Sequence, residues 1–444
     1  MPLPAKIALG MAGVLVLVGI GWGVIRLASC TVPGAGSTNA NEQGANGAGA
    51  ATSVSFCAVG DNLINEGGDY TADLLGLADA WEGTVGDDEY DFSPLYKQLK
   101  KTITSYDIAF VNQETTLGGN DEFDYAGYPA YNTPDQMAEA VAKAGFDVVN
   151  CNSNHTYDTW TDSIEHAQKV WAAQKGIDVI GSYTSQKDRQ KIRVVSRNGL
   201  KIAFLSYSYG QNGYEQSDLP NDYYAVPFDK EKMAKEEAPA KKIADAVVVY
   251  MHWGDENTHE LSEEQREYAS YLASLGVDLT IGSHAHVIQP VEYVSRSKYS
   301  SYGDDEDADA GTDDESTESE DSSTKKSSKA NDSNKMLCVY GLGDFVSGYT
   351  LPKTILSGMF SCDFVRDAKG KVSIKNPVWH GLVEHYDGDT DAVYLLSDYT
   401  DELAQSNVLL ARVGENEEYT TSDPLEWAQQ TTQDVIDDVI KVEV

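Results

Sequence analysis

The sequence predicts an α/β fold in which helices cover the faces of sheets. Three observations lead there. Short apolar, β-branched runs recur along the chain, stretches with helix start and stop signals lie between several of them, and the order through the first half is βαβα. Length and composition agree: 444 residues allow two or three domains of ~150 residues or one large α/β domain. A hydrophobic fraction of 41% with 26 tyrosines is too rich for wholesale disorder.

Ile7 to Ile25 carries no ionisable side chain between Lys6 and Arg26, close to the ~20 apolar residues that a bilayer-spanning helix needs. A buried core helix is the bland alternative, but the N-terminal position and cationic flank read as a secretory signal or anchor. Leu27-Ala28-Ser29-Cys30 then resembles a bacterial lipobox, whose cysteine carries the lipid. Arg26, between the apolar run and that motif, is unusual for a lipoprotein. Residues 1–30 are therefore an uncleaved signal anchor or a lipoprotein signal peptide ending at Cys30. Both place the remaining chain outside the cytoplasm, tethered to the cell membrane. Residues 31–52, mostly Gly, Ala, Asn, Ser and Thr, form a flexible stalk.

The folded body is expected over 53–400. Its strands are Ser53–Val59, Asp107–Val111, Asp147–Cys151, Asp178–Ile180, Lys201–Ser206, Ala246–Met251, Val277–Ile281 and Met336–Tyr340. Thr133-Pro134 opens a helix that stops at Gly145, and Ser262 with Gln265 is a capping-box pattern for a helix that stops at Gly276. Residues 295–335 interrupt the body with eleven acidic residues between Gly303 and Asp321, then a Lys/Ser stretch. No loop there has EF-hand ligand spacing, so the segment reads as a disordered, solvated insertion. Residues 401–444 are a C-terminal extension in which Pro424–Ile440 has the acidic amphipathic pattern of a packing helix.

Charge narrows the partners. Lys and Arg number 33 against 71 Asp and Glu, a net −38, which disfavours nucleic acid. Cys57, Cys151, Cys338 and Cys362 each sit in or beside an apolar run, without any C-x-x-C pair. Export permits disulfides, but spacing establishes none.

The chemistry sits at the strand ends. Ser53–Val59 runs into Gly60-Asp61, Asp107–Val111 into Asn112-Gln113-Glu114, and Asp147–Cys151 into Asn152-Ser153-Asn154-His155. Ala246–Met251 runs into His252-Trp253-Gly254, and Val277–Ile281 into Gly282-Ser283-His284-Ala285-His286. In open α/β sheets the carboxyl ends of parallel strands line one crevice, where side chains distant in sequence converge. Carboxylate, amide and imidazole without thiolate suit Mn, Fe or Zn in an open site. Singly, each motif is an ordinary turn or a structural histidine; five together point to a metal centre.

These motifs, with Asp158, Glu256, Gln289-Pro290 and Gly341-Leu342-Gly343-Asp344-Phe345, resemble the poly-γ-glutamate capsule biosynthesis proteins of the CapA/PgsA family, over about Val54 to Phe345 and in the family's order. That family is similar to the calcineurin-like metallophosphoesterases. The resemblance implies a two-sheet αββα sandwich holding two divalent metal ions, with a metal-bound hydroxide as nucleophile. Asp61 and His286 would bind one metal, Asn154, His252 and His284 the other, and Glu114 would bridge. His155 would donate to the substrate, oriented by Asp158. An anionic polymer and membrane subunits of a polymer synthase are the implied partners. A non-catalytic scaffold of such a synthase and a secreted phosphoesterase unrelated to capsule are the competing functions. Three positions depart from the pattern: Ser153 and Asp344 each stand where the family usually has Asn, and Asn62-Leu63 follow Asp61 where ordinary metallophosphoesterases have a histidine. Trp253 has two readings, a stacking platform or a wedge. Glu256 either bonds a ligand imidazole or faces solvent, and His259 either enters the site or stays at the surface. His380 and His385 have no partner motif.

Overall fold

The computed structural model describes residues 52–68, 71–81, 89–297, 334–415 and 423–444. The expected anchor, its lipobox cysteine and nearly all of the stalk lie outside them. So do residues 298–333 of the insertion. Among the described residues no helix is long and apolar enough to cross a membrane.

Fifteen strands are described: β1 (Thr52–Asn62), β2 (Ile108–Gln113), β3 (Val148–Asn150), β4 (Asp178–Ile180), β5 (Arg193–Arg197), β6 (Leu200–Ser208), β7 (Ala246–His252), β8 (Leu279–Ser283), β9 (Ile288–Ser295), β10 (Lys335–Leu342), β11 (Asp344–Val346), β12 (Leu356–Arg366), β13 (Val372–Tyr386), β14 (Asp391–Leu395) and β15 (Lys441–Glu443). They form two sheets. The first runs β14-β13-β12-β1-β2-β3-β4, with β11 beside β1 and β15 beside β13; the second runs β5-β6-β7-β8-β10-β9. β1 to β4 are mutually parallel, as are β6, β7, β8 and β10, while β5, β9 and β12 to β14 pair antiparallel.

Alternation along the strands builds the layers. On β1, Val54, Phe56 and Ala58 point at the second sheet, where Ile202, Phe204, Val248, Tyr250 and Ile281 meet them in one buried cluster. Cys57 and Val59, with Ala109, Val111 and Val149, point the other way onto Tyr96, Met137, Val141 and Trp171 of the helical layer. The second sheet does the same: Ala203, Leu205, Val247 and Val249 pack on Met233, Ala240, Ala269 and Leu272 from helices Lys230–Ile243 and Glu263–Leu275. The result is helix, sheet, sheet, helix. Both central sheets are covered on both faces, which explains why their parallel strands read as continuous apolar runs.

Ser262 caps helix Glu263–Leu275 with the full reciprocal pair of bonds, and Gly276 ends it in left-handed backbone. Thr133-Pro134 does not open the helix that follows it. That helix is Gln136–Ala144 with Asp135 at its N-cap, because the Thr133 hydroxyl is taken by Thr115 (2.7 Å) and its N–H by the Thr116 carbonyl (2.9 Å). At the insertion, Ser295 and Lys335 are not loop residues; they pair with each other at the ends of β9 and β10. The C-terminal helix is Pro424–Ile436, and β15 after it extends the first sheet beside β13. All four cysteines in the described residues are free thiols.

Candidate metal centre

The carboxyl ends of β1, β2 and β3 in one sheet and of β7 and β8 in the other open toward the same place. Glycine lets them meet. A Cβ on Gly60 would lie 1.8 Å from the Gly343 carbonyl oxygen, and one on Gly282 would lie 2.0 Å from that of Tyr340. Across this seam the Asp61 N–H donates to the Gly343 carbonyl (3.1 Å), and Asp61 stands opposite Asp344 in the β1/β11 pairing.

Asp61 is buried and fixed from three sides. Asn112 Nδ2 donates to its Oδ1 (2.5 Å), the Ser283 hydroxyl donates to the same oxygen, and the His284 N–H donates to Oδ2 (3.0 Å). Behind Asn112 a relay of buried amides continues: Asn150 Nδ2 donates to Asn112 Oδ1 (2.6 Å), and the Ser206 hydroxyl to Asn150 Oδ1 (2.5 Å). Glu114 is equally buried, yet neither of its oxygens accepts a hydrogen bond. Burial, with the Asp61 and Asp344 carboxylates adding to it, pushes the Glu114 carboxyl well above the usual range.

His252 Nε2 faces Asn154 Oδ1 at 2.8 Å and Glu114 Oε1 at 3.7 Å, while its Nδ1 is 2.9 Å from the Tyr250 hydroxyl. The His284 ring lies 4.8 Å from that of His252 and 5.9 Å from that of His286. Burial holds His252 and His284 well below ordinary histidine, as neutral ligands require. His286 behaves oppositely. Against the burial that lowers it, the Asp344 carboxylate at 2.8 Å raises its pKa to about 9. His284 and His286 both adopt positive φ, 103° and 57°; this strained local backbone turns both rings toward the cluster.

Three overlapping groups of side-chain atoms lie close enough to share an ion: Glu114, His284 and His286; Asp61, His286 and Asp344; Asp61, Glu114 and His252. Glu114, His286 and Asp61 each belong to two of them. Both Glu114 oxygens, His284 Nδ1 and Asp344 Oδ2 are buried without a hydrogen-bond partner. Unpaired buried polar atoms are costly, and their concentration among N and O donors fits divalent cations. The structure thus brings together Asp61, Glu114, Asn154, His252, His284 and His286, and adds Asp344 to the set.

His155 stands beside the cluster on the loop after β3. Its Nδ1 donates to Asp158 Oδ2 (2.7 Å), and that oxygen also accepts the Tyr131 N–H (2.8 Å). Nε2 is left facing the Asn212 amide at 3.4 Å. Trp253 is a wedge, fully buried with its Nε1 donating to the Tyr340 carbonyl (2.8 Å). Glu256 is exposed, and His259 Nδ1 bonds the Ile288 carbonyl (2.7 Å) instead of entering the cluster. His380 bonds the Ser361 hydroxyl (2.9 Å) and His385 the Tyr399 hydroxyl (2.6 Å), and neither belongs to the cluster.

The turn carrying Asp344 is braced from β13. Glu384, fully buried, accepts the Ser347 (3.0 Å) and Gly348 (2.9 Å) N–H groups. Beside it on β14, Asp391 is buried with no hydrogen-bond donor to either oxygen. Burial raises both carboxyls, and the mutual repulsion adds to Asp391.

Comparison with known proteins gives this arrangement a family. The PGA biosynthesis protein CapA of Bacillus subtilis (strain 168) is 29% identical over 163 residues, 36% of this chain and 42% of the relative. The capsule biosynthesis protein CapA of Bacillus anthracis is 28% identical over 158 residues, 35% of this chain and 38% of the relative. The matches thus span about two fifths of these relatives. Among solved structures, Haemophilus influenzae NAD nucleotidase aligns over 87% of this chain and 67% of its own, with a TM-score of 0.40 and 11% identity. Thermus thermophilus sulfate thiohydrolase SoxB aligns over 86% and 60%, with a TM-score of 0.36 and 11% identity. Residues 55–349, which include every residue of the cluster, match the description of the bacterial capsule synthesis protein PGA_cap, and the chain belongs to that family.

Proposed function

We propose that the protein is tethered to the outer face of the cell membrane and acts in the synthesis, export or attachment of an anionic capsule polymer, using the cluster as a two-metal hydrolytic centre. One observation carries the reading: unpaired N and O ligand atoms, buried where two sheets meet, beside a histidine outside the ligand set. Divalent ions there would supply charge stabilisation at the attacked centre and activation of water. Asp61, Glu114, Asp344, Asn154, His252, His284 and His286 would hold them. The protein's own proton chemistry falls to His155. Asp158 fixes its Nδ1 proton, so Nε2 is the atom that gives a proton to, or takes one from, the reacting group.

The scaffold reading has one observation in its favour. Asn62, at the position after Asp61, turns its amide away to Gln113 Oε1 (2.8 Å) and accepts the Tyr96 hydroxyl (2.8 Å), so it offers the centre no ligand. An assay of metal-loaded protein on phosphate-ester and γ-glutamyl substrates separates the two. Turnover that His155→Ala abolishes supports the enzyme, and no turnover on either class supports the scaffold.

A further inference from the structure

We infer that a cleft at the end of the sandwich opposite the metal centre is a second binding site, for a polymer that carries carboxylates on aliphatic spacers. The inference rests on the protein handling an anionic polymer, and it adds a place where that polymer is held apart from the centre.

The cleft has a volume of about 580 Å³ and lies at the amino ends of β8 and β10, whereas the metal ligands His284 and His286 follow the carboxyl end of β8. Its size is that of a ligand site, ~300–1,000 Å³. Both sheets supply its walls: β9 and β10 stand on one side, the turn from β12 into β13 on the other. Leu337, Tyr293, Val372 and Ile374 line it, and each belongs to or packs on the core between the sheets. Lys335 stands two residues before Leu337 on β10 and so shares its face. The strand ladder fixes this rim. Lys335 pairs with Ser295, and the next N–H, that of Arg296, donates to the Asn334 carbonyl (2.9 Å).

Charge in the cleft runs against that of the chain. Arg296, Lys335, Lys371 and Lys375 line it with only two carboxylates, Asp278 and Asp367, whereas the whole chain has 33 basic residues against 71 acidic ones. Both carboxylates are engaged. Asp278 accepts Arg296 Nη2 (2.9 Å) and the Val247 N–H (3.0 Å), and Asp367 accepts the Lys369 (2.8 Å) and Lys371 (2.9 Å) N–H groups. Arg296 Nη2 also donates to the Val277 carbonyl (2.8 Å), which anchors the guanidinium, but its Nε is buried without a hydrogen-bond partner. Such a donor is costly until a ligand supplies an acceptor. Lys335 is half-buried and enters no ion pair among the described residues. A chain of net −38 repels a polyanion over most of its surface, so contact needs a local reversal of sign, and the cleft provides one. Cations set around apolar walls suit carboxylates separated by aliphatic carbons; a phosphate chain has no apolar part to lay against Leu337 and Ile374. Arg296 and Lys335 also flank residues 298–333, whose acidic run from Gly303 to Asp321 is the competing occupant.

The test is calorimetric titration of the purified, metal-loaded chain with poly-γ-glutamate and with polyphosphate, beside turnover of a short γ-glutamyl substrate. Wild type, Lys335→Glu, Lys371→Glu and His284→Ala are compared. Saturable binding of poly-γ-glutamate is expected, tighter than that of polyphosphate and weakened by salt. Each lysine variant should weaken it roughly tenfold, and His284→Ala should retain it. Any turnover of the short substrate should be unchanged in the lysine variants, since both positions lie at the far end from the centre. Lys371 is exposed, so its replacement leaves the core untouched. Binding that is equal in both lysine variants, or lost in His284→Ala, assigns the polymer to the centre; it overturns the inference and leaves the anionic-polymer reading standing. Polyphosphate bound as tightly overturns the choice of carboxylates. Binding that appears only after deletion of Gly303 to Lys329 makes the insertion the occupant and overturns the inference as well. So does a lack of binding by every form, in which case turnover of the γ-glutamyl substrate tells whether the reading beneath it survives.

Discussion

Asp344 shows what one residue does to the centre. Its carboxylate keeps the His286 cation in place up to about pH 9 in the metal-free protein, and its own pKa is raised to about 6 by burial, against the pull of His286. An incoming cation has to displace that proton, so metal affinity should rise with pH toward about 9. Asp344→Asn removes the partner and leaves burial to lower His286. Histidine NMR of the metal-free variant should show the His286 pKa falling, and its metal affinity should vary less with pH between 7 and 9. An unchanged titration would mean that the pair does not form. His284→Ala and His155→Ala should differ in kind: the first loses metal by elemental analysis, while the second keeps metal and loses turnover. Most of these residues are legible because each directly ends an apolar run. Tyr250 and Asn112 are legible in principle, since each lies two residues before a strand-end ligand, His252 and Glu114, and shares its face. The loop Tyr209–Tyr214 also follows a strand, yet it is not legible as part of the site, because tyrosine and asparagine at a turn carry no metal signature.

At the scale of elements, the seam between β1, β10 and β11 has no room for a side chain. Gly60→Ala places a methyl against the Gly343 carbonyl, and we expect a loss of about 1–3 kcal/mol in chemical denaturation together with weakened metal binding. The Glu384–Asp391 pair makes a signed prediction. Both carboxyls have folded-state pKa values above their unfolded ones, so the folded state holds protons that the unfolded state has released. That contribution is full below the ordinary carboxylate range and is lost as pH rises. Asp391→Asn should therefore narrow the difference in denaturation midpoint between pH 5 and pH 8; an unaltered difference would exclude the pair as its source. Eight strands match the apolar runs of the sequence; seven are buried along most of both faces, and the eighth, β4, is a half-buried edge strand. β12 to β14 were not legible: β13 contains Pro377, Asn376 and several half-exposed positions, so its periodicity is broken. Helix Gln136–Ala144 starts later than Thr133-Pro134 signals, because Thr133 answers to Thr115, eighteen residues away, rather than to its own helix.

For the whole molecule, the two-sheet sandwich follows from alternation within strands, but the pairing of the sheets does not. The same apolar runs are compatible with one continuous doubly wound sheet. The crossover from β4 to β5, and the return of β12 through β15 to the first sheet, are set by long-range packing that no local pattern records. Strands β9 and β10 close on each other at Ser295 and Lys335, so deleting Gly303 to Lys329 should leave the melting temperature nearly unchanged, since loop length affects closure entropy slowly. Membrane attachment is tested separately: the full chain should fractionate with membrane, and Cys30→Ala should abolish lipid incorporation only if the lipobox is used. The central claim is the metal centre, and metal analysis of the purified chain after reconstitution with Mn, Fe or Zn tests it most directly. The account predicts stoichiometric metal approaching two ions per chain, reduced in His284→Ala; wild-type protein that folds and holds no stoichiometric metal would contradict it.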